Sequence, residues 1–292
     1  MFGRRNFTAL LLTCVSSVPV VAQDRSVTAP TPTQPPTLRA ELWNTEQFVF
    51  HSKVLGRDML IQVVKPLVPP AGKMPSVYLL DGNLYTSFAL NPMMGGLDGE
   101  YAPAYFIGVG YAEGNAIQWY RQRGIDLIHA PNVAFDDTML QGVRSGGEML
   151  FQRFLISELR PAMESRYPLD PTRTVLSGIS LGGLFATRVL LDQPGAFGAY
   201  MIGSPSIWAE PGLVARARAA RLPSGTQVYV SAGGAEDADQ LAGARALAAA
   251  LRENSSRVAV TEWIVPNEAH VGFAPAFFSQ GLKTVLPPPA EK

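Results

Sequence analysis

Cysteine is almost missing from this chain: one residue, Cys14, among 292. Histidine is nearly as scarce, at three. Such poverty argues against a disulfide scaffold and a structural zinc site, both of which need clustered thiols or imidazoles. An excess of either charge is also absent, since Lys+Arg and Asp+Glu stand at 24 each. A balanced chain offers no basic footprint to nucleic acid. No apolar run reaches the roughly 18 or more residues that a membrane-spanning helix requires. What is abundant is core-forming material: 47% of residues are apolar and 16% charged, which excludes a disordered chain.

The first 22 residues read as an export leader. Arg4 and Arg5 form a basic start, Phe7 to Val21 is apolar but interrupted by Pro19, and Ala22 precedes a cleavage point. Arg4-Arg5-Asn6-Phe7 also resembles a twin-arginine signal. Removal of this leader takes away Cys14, so the mature chain carries no thiol nucleophile. The expected location is therefore periplasmic or secreted, with no membrane span after cleavage. Residues 23–40 are rich in Pro and Thr and read as a linker. A single folded domain is expected over 41–286, with 287–292 as a proline-led tail.

Inside that domain, strand and helix patterns alternate. Gln47 to Phe50 and Met59 to Val64 predict an antiparallel strand pair turning at Gly56. Short apolar runs predict further strands at Ser76 to Leu80, Tyr105 to Val109, Arg173 to Ser177, Ala199 to Ile202, Gln227 to Ser231 and Arg257 to Val265. Helices are predicted over Glu148 to Tyr167, Leu181 to Asp192, Gly212 to Arg221, Asp237 to Arg252 and Pro275 to Leu282. Such alternation predicts an α/β fold: a mostly parallel central sheet with helices on both faces.

The chemistry-bearing signal is Gly178-Ile179-Ser180-Leu181-Gly182, a G-x-S-x-G placed where a predicted strand gives way to a predicted helix. In that context the motif reads as a nucleophile elbow, whose small flanking residues let strand and helix close on a strained serine. A serine hydroxyl needs a base. Of His51, His129 and His270, only His270 follows Ser180, as the order Ser, acid, His requires. The acid is expected after the strand ending at Ser231, where Glu236 leads and Asp237 and Asp239 stand as alternatives. Two amides are expected to form the oxyanion hole: Leu181, directly after the nucleophile, and Asn83, in the turn that follows Leu80.

Several stretches together resemble the siderophore-esterase-like α/β-hydrolases, of the enterobactin and salmochelin esterase type. They are Ser52 to Arg57, Tyr78-Leu79-Leu80-Asp81-Gly82, Gly178 to Phe185, Gly203-Ser204-Pro205-Ser206-Ile207-Trp208, Gly233 to Glu236 and the His270 loop. The resemblance implies an α/β-hydrolase fold with Ser180 as nucleophile, His270 as base and Glu236 as acid. Ile179 stands where members commonly carry histidine, and the segment Arg121 to Leu127 departs from the family pattern. Trp208, Arg121 and Arg123 are candidate contacts for an aromatic or anionic ester.

The expected activity is that of an exported serine carboxylic-ester hydrolase working through an acyl-enzyme on siderophore-like or other small esters. No cofactor and no metal is expected. An acyltransferase using the same residues is the enzymatic alternative, and a non-catalytic, hydrolase-like periplasmic binding protein is the other.

Overall fold

The computed structural model describes residues 42–67, 71–95, 99–112, 114–253 and 258–288. The expected leader and linker, and all but the first two residues of the expected tail, lie outside them. Eight strands form one sheet: β1 (Thr45–Ser52), β2 (Arg57–Val64), β3 (Met74–Leu80), β4 (Tyr105–Tyr111), β5 (Leu169–Ile179), β6 (Ala199–Gly203), β7 (Thr226–Gly233) and β8 (Val258–Val265). Their spatial order is β1-β2-β4-β3-β5-β6-β7-β8. β2 runs antiparallel to both β1 and β4, and every other pair is parallel. Gly56, at φ 65°, makes the hairpin turn that the sequence predicts.

Inner strands alternate between two apolar faces. Tyr78, Leu80, Ile107, Leu176, Tyr200, Ile202 and Val230 point to one, while Val77, Leu79, Phe106, Val175, Met201 and Tyr229 point to the other. Because both faces are covered, the strand runs are apolar throughout. The first face packs helices Glu148–Phe154, Leu181–Asp192, Leu213–Ala219 and Ala238–Arg252. The second is covered chiefly by helix Ala274–Val285, whose Ala274, Phe277, Phe278, Gly281, Leu282 and Val285 are buried at helical spacing.

Two differences from the sequence reading have local causes. The single helix expected from Glu148 to Tyr167 contains a π turn at Leu155–Leu159, between Glu148–Phe154 and Arg160–Arg166. Its stripe of Phe151, Leu155, Leu159 and Met163 repeats at four residues rather than 3.6, and all four are buried. A wider turn keeps that stripe on one face, and Pro161, lacking an N–H, favours loss of the regular ladder there. The second difference is helix Ala116–Leu127, which is absent from the predicted elements. Its apolar spacing is irregular, but Asn115 and Gln118 make a reciprocal capping box that starts it.

Candidate active site

All of the expected chemistry comes from segments that follow the carboxyl ends of parallel strands, the usual ligand edge of such sheets. Strand β5 lies in the middle, between β3 and β6, and delivers Ser180 at φ 63° and ψ −119°. A non-glycine residue in that region carries about 1–3 kcal/mol of strain. The closeness of strand and helix explains the glycines around it. A Cβ on Gly178 would lie 2.3 Å from the Gly182 carbonyl oxygen, and one on Gly183 would lie 2.6 Å from that of Gly203.

The Ser180 amide donates to Gly203 O at 2.9 Å, and the Ser206 amide donates to Ser180 O at 3.1 Å. Loop 203–206 therefore grips the elbow from both sides. The Ser180 and Ser206 hydroxyl oxygens are 3.4 Å apart. Among the described contacts no hydrogen bond joins the Ser180 hydroxyl directly to His270. Unliganded sites commonly hold this bond long and tighten it with substrate.

His270 follows β8 and is partly exposed, with 42% of its side-chain surface accessible. Its Nδ1 lies 2.7 Å from Glu236 Oε2. The loop carrying Glu236 is tied to the one carrying His270 by backbone bonds: Gly234 N to Val265 O at 2.8 Å and Ala235 N to Glu268 O at 2.9 Å. Of Glu236, Asp237 and Asp239, Glu236 is the one that bonds to the imidazole. Asp237 instead caps helix Ala238–Arg252 at its N-terminus without a side-chain cap bond, and Asp239 lies in its first turn.

Glu236 is held on both oxygens. Oε1 accepts from the Gly233 amide at 2.6 Å, while Oε2 accepts from Ser204 Oγ as well as from His270. Burial alone would raise its carboxyl pKa. Hydrogen bonds from His270, Ser204 and Gly233, with the His270 charge, outweigh burial and bring it below the usual carboxylate range.

Leu181 and Asn83 both occupy first turns, in helices Leu181–Asp192 and Gly82–Tyr85, where amides have no acceptor within the helix. The Asn83 side chain clamps its turn to β4, donating to Tyr111 O at 3.1 Å and accepting from Tyr111 N at 2.7 Å. A Cβ built on Gly182 would lie 3.4 Å from Asp81 Oδ2, so the turn after β3 packs against the start of the Leu181–Asp192 helix.

The expected substrate contacts divide. Trp208 is half exposed in the short helix Ile207–Ala209, its ring 5.8 Å from that of Phe135. Arg121 lines a cleft of about 610 Å³ with Arg57, Asp58, Tyr111 and Gln122. Neither Ser180 nor His270 lines that cleft; Tyr111 connects its wall to the Asn83 clamp. Arg123 is a correction. Helix Ala116–Leu127 turns it inward, where it is 5% exposed and committed to Asp81 through two bonds of 2.8 Å. It cannot offer its guanidinium to a ligand.

The remaining histidines serve elsewhere. His51 pairs with Asp58 across the first hairpin at 2.7 Å, and His129 joins the buried Glu148 and Arg188 at 3.1 and 2.8 Å. Among the described residues no cluster of histidine and carboxylate side chains is suited to a metal ion, and no helix is long and apolar enough to cross a membrane.

Comparison with known proteins shows the family and the fold. The model of the Esterase family, described as "Putative esterase", matches residues 52–271. The chain belongs to this esterase family. It is 34% identical over 175 residues to the ferri-bacillibactin esterase BesA of Bacillus subtilis, an alignment covering 57% of this chain and 60% of that one. The chain thus spans less than two thirds of that relative's length. A crystal structure of BES protein from Bacillus cereus superposes with a TM-score of 0.74 at 28% identity, covering 86% of this chain and 99% of the other. Siderophore hydrolase EstB from Aspergillus nidulans gives 0.67 at 27% identity, over 86% and 98%. The fold is that of the α/β-hydrolases, with a mostly parallel sheet covered by helices on both faces.

Proposed function

We propose that this member of the esterase family is an exported serine hydrolase that cleaves carboxylic esters through an acyl-enzyme. Ser180 Oγ attacks the ester carbonyl while His270 takes its proton and later passes it to the departing alcohol. Glu236 fixes the imidazole through Nδ1 and stabilises the imidazolium, and the Leu181 and Asn83 amides receive the oxyanion. Water, activated by the same imidazole, then releases the acid. The observation carrying this reading is the 2.7 Å bond between His270 and a Glu236 clamped on both oxygens, beside a serine in a left-handed elbow.

Siderophore-like esters are the proposed substrate class, supported by the names of the relatives, a ferri-bacillibactin esterase and a siderophore hydrolase. Trp208 and Arg121 remain available to contact such a ligand. Residues 1–22 act as the export leader in this reading, which delivers the enzyme to the periplasm or beyond.

The test is turnover of siderophore lactones, feruloyl esters and p-nitrophenyl esters by the purified protein. Ser180→Ala and His270→Ala should each lower turnover by roughly 10⁴-fold, and a serine-directed phosphonate should label Ser180. Near-normal turnover in either variant defeats the mechanism.

A further inference from the structure

Ser204 is fully buried and sits at φ 37°, a region that favours glycine, yet the residue is serine. Its side chain accounts for that choice. The hydroxyl donates to Glu236 Oε2 and lies 3.1 Å from His270 Nδ1. Gln240 Nε2 in turn donates to Ser204 Oγ at 3.1 Å, to Ser204 O at 2.7 Å and to Pro205 O at 3.0 Å. The Ser204 amide donates to Ser231 O at 2.6 Å. A directed chain results, from the Gln240 amide to the Ser204 hydroxyl to the Glu236 carboxylate, which also accepts from the imidazole.

We propose that Ser204, backed by Gln240, is a positioning residue for the reaction: it holds Glu236 Oε2 in line with His270 Nδ1. The inference rests on the Ser180–His270–Glu236 reading and adds a fourth side chain to it. Glutamate has one more rotatable bond than aspartate, so its carboxylate needs more restraint to stay aligned. The Gly233 amide fixes Oε1, and without Ser204 the other oxygen would have the partly exposed imidazole as its remaining partner. The single Ser204 proton goes to the carboxylate, because an ionised carboxylate only accepts. Nδ1 of His270 must then carry its own proton to reach the same oxygen, leaving Nε2 unprotonated to act as base. One hydroxyl thus favours both the ring orientation and the tautomer that a base requires.

The test compares Ser204→Ala and Ser204→Gly with the wild type on a p-nitrophenyl ester, with melting temperature and phosphonate labelling measured in parallel. Loss of a hydrogen bond to a charged group should lower kcat by about 10- to 100-fold, with KM unchanged and Ser180 labelled more slowly. Ser204→Gly removes the same hydroxyl while relieving the left-handed backbone, so it should melt at or above the Ser204→Ala temperature yet be just as slow. That separation of stability from rate is what a merely structural serine would not produce. A Ser204→Gly enzyme with kcat within about twofold of wild type, well below that predicted loss, overturns the proposal. If the wild type resists labelling and Ser180→Ala stays active, the failure instead belongs to the serine mechanism itself, and the positioning role falls with it.

Discussion

Arg123 and Asp81 form a two-pronged ion pair, Nε to Oδ1 and Nη2 to Oδ2, each at 2.8 Å, with both side chains buried. Burial would weaken the charge on Arg123, but the Asp81 carboxylate and its hydrogen bonds more than compensate and hold the guanidinium pKa above its ordinary value. Trp119 stacks nearby, 5.1 Å from the guanidinium carbon to the ring centre. Asp81, at φ 55°, is the last residue before the turn that carries Asn83. The pair therefore anchors the floor of one proposed oxyanion donor rather than meeting substrate.

Removing one member of a buried pair strands the other, at a cost of about 3–5 kcal/mol. Arg123→Ala should accordingly lower the urea midpoint strongly. Arg121→Ala, which breaks no side-chain hydrogen bond among the described contacts, should shift stability by about 0.5 kcal/mol or less. Equal stability losses in the two variants would contradict the assignment of Arg123 to the interior.

The contrast between these arginines marks how far the sequence could be read. Apolar runs revealed all eight strands: the inner ones, covered on both faces, read as continuous runs, while the edge strands β1 and β8 are only partly buried. Ser180 was legible from a short motif, and His270 from chain order and scarcity. Arg123 was not, since its direction depends on the phase of helix Ala116–Leu127, which has few periodic apolar residues; the Asn115 and Gln118 cap was the available signal. Ser204 was visible as part of Ser204-Pro205-Ser206-Ile207-Trp208, but its contact with Glu236 exists only once β6 and β7 lie side by side.

Glu236 links the site to acid stability. Its carboxyl pKa is lower in the folded protein than the ordinary value of 4.5. The unfolded chain therefore binds the proton more readily than the native one. The resulting stability is fully present above the ordinary value and disappears as pH falls through the lowered folded value. Glu236→Gln cannot titrate there, so the stability gap between wild type and variant should hold from pH 6 down to near the ordinary value of 4.5 and narrow as pH falls from there toward about pH 3. Urea midpoints across that range provide the check, and a gap independent of pH would remove Glu236 as a source of acid sensitivity.

Helix Ala274–Val285 begins just after the His270 loop and packs on the sheet through Phe277, which is fully buried and whose ring centre lies 5.7 Å from that of Tyr229. Phe277→Ala leaves a cavity between the helix and β7, and such truncations cost about 3–5 kcal/mol. Chemical denaturation should show a loss of that size. A loss under about 1 kcal/mol would mean that the helix collapses onto the gap without difficulty.

Asn83 offers a way to move a proposed oxyanion donor without deleting it. Its amide belongs to the backbone and survives substitution, whereas the two side-chain bonds to Tyr111 that fix the turn do not. Asn83→Ala should therefore leave the donor present but loosely aimed. Outright removal of an oxyanion donor lowers kcat by about 10²–10³-fold, so a misplaced one should lower it by about tenfold. Because the bond to a developing oxyanion strengthens in the transition state, the loss belongs in kcat, with KM nearly constant. Asp81 O still accepts from the Leu84 and Tyr85 amides in the variant, which keeps the helical turn itself formed. An unchanged kcat would show that the turn needs no clamp or that the second donor lies elsewhere.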